Sequence, residues 1–503
     1  MRRAERHDYH NLDGIAVADS RRRVQNGFSC VATSYEYDAV VIGAGPNGLA
    51  AAIVMAAAEK SVAIFEANET PGGGVRSAAL TLPGYIHDVC SAVYPLGIGS
   101  PFFRSLPLAH YGVEWIQPPA ALAHPFDDET AIVVEREIET TASALGADAA
   151  SYRKLFGRLS AEWESLSSDV LAPPRWPRHP VKLLRFGSSA IQPARRFAER
   201  RFAGDRARGL FAGLAAHSML PLERWGSAAF GLVLGATAHA LGWPIVRGGA
   251  QRLADALSAY LSSLGGKIFL RRPVHNLAEL PRSRVVLCDV TPRQLVKLAG
   301  SLLPSNYRDK LKNYAYGMGA FKIDWALSAP VPWRAQECSR AATVHLGASL
   351  SEIARSERMV WRGFHANNPF VLVAQPSLFD DCRAPAGKHT LWAYCHVPNG
   401  SNVDMTDKIE SQVERFAPGF RDAILARCIA SPVELEDRNA NLVGGDINGG
   451  APTLRQMFLR PNYHLYSTPT RGLYLCSSST PPGGGVHGMC GYFAAQRALR
   501  DMF

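Results

Sequence analysis

The first sustained hydrophobic run is DAVVI at residues 38–42, β-branched and followed at once by glycine, which predicts a strand ending in a tight turn. Residues 47–58 are alanine-rich with no breaker after Gly48, the pattern of a helix, and residues 61–65 alternate into a second strand that ends at Glu66. A strand, turn, helix and strand in such close succession form a βαβ unit, whose crossover requires parallel strands. From about residue 107 to 243 the pattern changes to long helical stretches such as 151–170, beside a proline- and arginine-rich segment at 173–208. The α/β character returns at Gly248. An amphipathic helix over 250–264 is stopped by Gly265 and Gly266, and short strands follow at 267–270 and 285–287. Residues 315–445 read as mixed, with strands at 370–374 and 390–397 and a helix at 407–416 ended by Pro418 and Gly419. A last strand at 472–477 leads through a proline- and glycine-rich loop into a helix from Met489 to Met502.

Three glycine clusters carry the candidate chemistry. GAGPNG, residues 43–48, sets Gly43, Gly45 and Gly48 in a G-x-G-x-x-G frame. Gly43 permits the turn out of the strand, Gly45 lets a pyrophosphate approach the backbone, and Gly48 lets the helix pack on the sheet with its N-terminal amides facing the phosphates. Glu66 follows Gly45 by 21 residues at the end of the second strand, where a carboxylate holds ribose hydroxyls. With strand, helix and distal acid all present, the motif predicts dinucleotide binding rather than an ordinary turn. PGGGVRS, residues 71–77, begins five residues after Glu66. Glycine clusters usually mark turns, but this position predicts a loop lying against an extended cofactor, with Arg76 supplying charge beside it. SSSTPPGGGVHGMCGY, residues 477–492, gathers backbone amides and a helix N-terminus in one place, suited to a phosphate and to the electron-rich edge of a reduced flavin. His487 in that turn reads as a packing or hydrogen-bonding residue sooner than as an acid–base group.

Composition narrows the picture. With 47% hydrophobic residues, the 503-residue chain has material for large cores, which excludes a disordered or fibrous protein. The net charge is +10, and residues 175–208 alone hold ten basic residues against two acidic ones. The remainder is nearly neutral, so no nucleic-acid partner is expected. Trp176, Phe186, Phe197 and Phe202 interleave with those charges, so the segment reads either as a peripheral contact with anionic lipid or as a solvated basic face. Residues 225–246 are uncharged with His239 neutral, yet they contain four glycines and Pro244, which predicts a buried helix lining a substrate cavity rather than a membrane span. Nine cysteines without a C-x-x-C pair exclude a zinc ribbon or a dithiol centre, and no metal site is expected. Such thiols fit a reduced, cytoplasmic compartment, or a mitochondrial one in a eukaryote. Residues 1–36 have no secretory apolar run and read as a poorly ordered extension.

GAGPNGLAAA, the acid at 66, PGGGVRS and the closing TPPGGGVHGMCGY together resemble the phytoene-desaturase-like branch of the FAD-dependent oxidoreductases, the carotenoid and retinoid oxidoreductase family. The runs GWPIVRGGAQRLADAL and GGDINGGA support one subgroup of it, and the resemblance extends from about residue 37 to the end. It implies an α/β fold: a Rossmann-type FAD-binding domain with a parallel sheet, assembled from 37–106, 246–310 and 445–503, and an inserted mixed α+β substrate domain from 107–245 and 311–444. It implies FAD as cofactor, with Gly43, Gly45, Pro46, Asn47 and Gly48 at the pyrophosphate and Glu66 on the adenosine ribose. Gly73, Gly74 and Arg76 would lie beside the flavin, the backbone of Val274 at the adenine, and Gly485, Val486 and His487 near the pyrophosphate and flavin ring. Where relatives carry DVVVSNADP, this chain has the shorter VVLCDVTP at 285–292. The implied activity is hydride transfer between the flavin and a hydrophobic, polyene- or lipid-like small molecule, by desaturation, saturation or isomerisation. A flavin amine oxidase and a non-enzymatic FAD-bearing binding protein are the alternatives. In such chemistry the cofactor does the reacting, so no catalytic residue is nominated. Substrate, electron acceptor and oligomeric state have no signature in the chain.

Overall fold

The computed structural model describes residues 35–503, so the extension expected over 1–36 lies outside the described residues except for its last two. A five-stranded parallel sheet runs in the order Leu473–Leu475, Ser283–Cys288, Tyr37–Ile42, Val62–Phe65, Lys267–Phe269. Ala39 stands opposite both Val285 and Val62 in the register, and Val40 and Val41 are fully buried, as a parallel sheet covered on both faces requires. The helix Pro46–Ala57 is apolar all round and buried along nearly its whole length. It lies beside the helices Gln251–Ser263 and Met489–Met502. A Cβ on Gly491 would come within 1.8 Å of the Asn47 carbonyl oxygen, so only glycine allows the terminal helix this close.

A seven-stranded sheet forms the second layer, in the order Ile424–Ala430, Gly319–Leu327, His389–Val397, Val371–Ala374, Ala341–Leu346, Ala120–Pro125, Ala131–Val134. All its pairings are antiparallel except that of Ala341–Leu346 with Ala120–Pro125. Gly319–Leu327 is buried throughout although Lys322 and Asp324 sit at its centre. They form a buried ion pair, which hides an otherwise apolar strand from a reading of hydrophobic pattern.

The stretch 151–170 is not one helix. A π-helical turn at Arg153–Gly157 separates Ala149–Tyr152 from Arg158–Ala161 and Trp163–Val170, and both Tyr152 and Phe156 point into the core. The basic segment also departs from its reading. Phe186, Phe197 and Phe202 are buried, the last two against Phe211, and Trp176 alone of the four aromatics is exposed. Phe186 and Phe197 sit on two separate helices, Pro180–Ala190 and Ala194–Arg201, and Phe202 directly follows the second, each turned to the core. The exposed apolar side chains here are Trp176, Val181, Leu184 and Ile191. Residues 225–246 contain the buried helix Ala228–Ala240. Among the described residues no helix is long and apolar enough to cross a membrane.

Arg383 is wholly buried where the loop between Val371–Ala374 and His389–Val397 meets residues 246–250, which lead into the helix Gln251–Ser263. It donates to Asp88 at 2.9 Å, to Asp380 at 2.7 Å and to the Val246 carbonyl at 3.3 Å. Asp88 also accepts from the Ala250 amide and Ser77, and Asp380 from the Gly248 amide.

Candidate functional site

The strand Tyr37–Ile42 ends at Gly43, whose φ of +94° turns the chain into the helix Pro46–Ala57. A Cβ on Gly48 would stand 2.0 Å from the Gly43 carbonyl oxygen, so the turn closes only with glycine there. Glu66 grips this turn from below: one carboxylate oxygen accepts from the Ala44 amide at 2.7 Å, the other from the Asn68 amide and side chain. The second glycine loop lies directly on the first. The Gly72 amide donates to the Ala44 carbonyl at 2.8 Å, and a Cβ on Gly73 would be 3.0 Å from Gly45 Cα. Arg76 folds back, donating to the carbonyls of Gly73 and Arg438.

These loops form one wall of a cavity of about 320 Å³. Gly45, Pro46, Asn47, Gly73 and Gly74 face it, and so do Gly485 and Val486 from the far end of the chain. Gly43, Gly48 and Glu66 lie beneath that wall, while Arg76 and Val274 line no part of it. The wall opposite comes from the inserted layer and its helices: Trp243, Leu372, Trp392 and Tyr394, with His217 and Thr343. Trp392 and Tyr394 alternate along one strand, so both rings point the same way, stacked at 5.8 Å and 17°. His217 is paired at 3.0 Å with the buried His345, and burial holds its pKa down at about 3, so the imidazole is neutral.

Asp289 was not among the sequence-derived candidates. It follows the strand Ser283–Cys288 directly, and its carboxylate accepts from the Gly48 amide at 2.9 Å at the start of the glycine-turn helix. Burial pushes its pKa up to about 7, the Gly48 amide opposes this, and the Glu66 charge adds to it. Its position was readable: the first residue after a parallel strand beside the dinucleotide turn faces the same crevice. His217, Trp392 and Asn441, brought in from distant segments, gave no local signal, whereas Trp243 and Asn448 fall within the runs GWPIVRGGAQRLADAL and GGDINGGA.

A second cavity, of about 570 Å³, adjoins the first. Leu96, Leu234 and Asn448 line both. It is mainly apolar, walled by Val170, Leu171, Leu183, Phe186, Phe230 and Val233, so the helix Ala228–Ala240 does line a cavity. The His487 ring faces this chamber, whereas Gly485 and Val486 of the same turn face the first.

A family model described as an NAD(P)-binding Rossmann-like domain matches residues 41–105. Pyridine nucleotide-disulfide oxidoreductase domain-containing protein 2 of Rattus norvegicus is 26% identical over 571 aligned positions, 96% of each chain. The neurosporene-forming phytoene desaturase of Rhodobacter capsulatus is 25% identical over 276 positions, 48% of this chain and 51% of that one. Among solved structures, putrescine oxidase superposes with a TM-score of 0.60 at 17% identity, covering 92% of this chain and 98% of that one. The chain is therefore an oxidoreductase with a Rossmann-like dinucleotide-binding domain, on the two-sheet α/β fold of the FAD-dependent oxidoreductases. Its homologues are pyridine nucleotide-disulfide oxidoreductase domain-containing protein 2 and phytoene desaturase, which bears out the resemblance drawn from the motifs.

Proposed function

We propose that the chain binds FAD and transfers a hydride between that flavin and a hydrophobic, polyene- or lipid-like molecule, acting on a CH–CH bond. One observation carries the reading: a single cavity has the two glycine loops and the Gly485–Val486 turn on one side and an aromatic, apolar wall on the other. The residues fit the cofactor. The glycines let the two loops and Asp289 close on one another, since a Cβ on Gly45 would meet Asp289 Oδ2 at 2.7 Å and one on Gly73 would meet Gly45 Cα at 3.0 Å. The helix Pro46–Ala57 has a glycine at its N-cap, which leaves its first amides open to an anion, and the buried Asn47 Oδ1 is an unmet acceptor for a hydroxyl. Gly45 and Asn47 would hold the diphosphate, Glu66 the ribose, and Gly485 and Val486 the ring. Bound flavin supplies two-electron hydride chemistry; the chain orients the substrate and excludes water from the cavity.

The purified protein is expected to be yellow. Glu66→Ala, which removes both the ribose acceptor and the anchor of the Ala44 amide, should lower flavin retention by about ten-fold or more. A colourless wild-type protein that takes up no added FAD would end the reading. The stacked Trp392–Tyr394 pair favours one second reading, a flavin amine oxidase. Amine-dependent peroxide release would support it, and its absence across primary and polyamines would remove it.

Membrane contact belongs to the same proposal. Trp176, Val181, Leu184 and Ile191 are exposed among the basic residues of 175–208, and Arg175, Leu183 and Ile191 line the second cavity, so a lipophilic molecule would enter there. Co-sedimentation with anionic vesicles should be strong at low salt, weak at high salt, and reduced by Trp176→Ala with Leu184→Ala. Equal pelleting with neutral vesicles would sink this part.

A further inference from the structure

The second cavity is apolar except at one end, where three nitrogen-bearing side chains converge on the GGG turn. Each glycine of the turn faces one of them. A Cβ would meet Arg460 Nη1 at 2.5 Å from Gly483, the Asn448 backbone and its side-chain oxygen at about 3 Å from Gly484, and Leu96 at 3.0 Å with the His487 ring at 3.3 Å from Gly485. The turn is thus bare of side chains where these three groups press against it, and all three line the chamber.

Their hydrogen-bond arithmetic is one-sided. His487 Nδ1 accepts from the Met489 amide at 3.0 Å, and burial pushes the ring's pKa down to about 4, so the neutral ring carries its proton on Nε2. That N–H is buried without a hydrogen-bond partner; the carbonyls of Gly483 and Gly484 lie close enough to favour the charged ring but not in bonding geometry. Asn448 Nδ2 is likewise buried and unpartnered. Arg460, 3% exposed, gives N–H groups to the carbonyls of Gln456, Ser478 and Gly450, and no carboxylate among the described residues pairs with it. The nearby acid, Asp446, is engaged with the amides of Gly317 and Asn448. Two unmet donors and an unpaired buried cation therefore share one end of an apolar chamber, and each is costly to leave so.

We propose that this end is a head-group site, and that the chamber takes a long apolar chain ending in a carboxylate. The carboxylate oxygens accept from Asn448 Nδ2 and His487 Nε2 and lie in the field of Arg460, while the chain occupies the space walled by Val170, Leu183, Phe186, Phe230 and Val233. This deepens the reading of a lipid-like substrate and rests on it, because it takes this chamber as the substrate's place. The neighbouring cavity holds Gly485 and Val486 but neither His487 nor Arg460, so these two stand apart from the cradle assigned to the dinucleotide, and Asn448 lies where the two cavities meet.

Binding tests it without turnover. The flavin-loaded protein is titrated with cis-parinaric acid, a fluorescent polyene acid, which is then displaced by dodecanoate, by its methyl ester and by dodecane. Dodecanoate should displace the probe at concentrations about ten-fold or more below the other two, since only it meets all the donors. Asn448→Leu and His487→Phe should each shrink that ratio several-fold and leave dodecane unchanged. If the ester and dodecane compete as well as the acid in the wild-type protein, the head-group site falls while the apolar chamber stands. If neither the probe nor any competitor binds, the lipid-like substrate falls with it. The wild-type ratio decides the matter even if a variant does not fold.

Discussion

Arg383→Leu is expected to destabilise the protein by about 3–5 kcal/mol, read as a fall in the urea midpoint of unfolding at an unchanged slope. The guanidinium joins Asp88 and Asp380 where no water reaches, and all three side chains are buried. Leucine fills much of the space but leaves two carboxylates facing each other without a cation. The loss comes from stranding these charges rather than from the worth of the ion pairs themselves, because a complete buried triad is close to neutral against an apolar substitute. Arg383→Leu combined with Asp88→Asn and Asp380→Asn should therefore be more stable than Arg383→Leu alone. A single variant within about 1 kcal/mol of wild type would show that the Arg383–Asp88–Asp380 triad contributes little.

Asp289→Asn should change how stability depends on pH. The Asp289 carboxyl titrates near 7 in the folded protein, against about 4 for an unfolded aspartate. Between those values the folded state holds a proton that the unfolded state has lost, so this group's contribution is greatest at low pH and declines as pH rises towards 7. Asparagine keeps an acceptor for the Gly48 amide and cannot ionise. The variant's advantage in the cofactor-free protein should be near zero at about pH 4 and reach on the order of 4 kcal/mol at about pH 7.5. The difference between the two proteins is the quantity to read, because buried histidines such as His87, His124 and His217, all with lowered pKa, contribute with the opposite sign. A constant difference across that range would show that Asp289 titrates normally.

The elements readable in the sequence were those whose local pattern and burial agree. The glycine-turn helix, the helix Gln251–Ser263 and the terminal helix Met489–Met502 lie within a residue or so of their expected bounds, since glycine and proline mark their ends. Gly319–Leu327 was missed because its central charges compensate each other within the core. Ile424–Ala430 was missed because it is an edge strand with alternating exposure and an arginine at its middle. The aromatics of 175–208 misled for the opposite reason: side chains that alternate with charge in sequence segregate from it on a helix. At the site, the glycine loops were legible because backbone geometry demands particular residues. Apart from Trp243, the facing wall is set by tertiary packing, which writes no local motif.

The sheet order, with Leu473–Leu475 beside Ser283–Cys288 and Tyr37–Ile42 between early and middle strands, also bears on biosynthesis. A nascent polypeptide still tethered to its ribosome cannot close this layer until residues 473–475 have emerged, and until Gly491 follows, the alanine face awaiting it stays uncovered. Termination ahead of residue 473 would yield a sticky, protease-sensitive product rather than a smaller working enzyme.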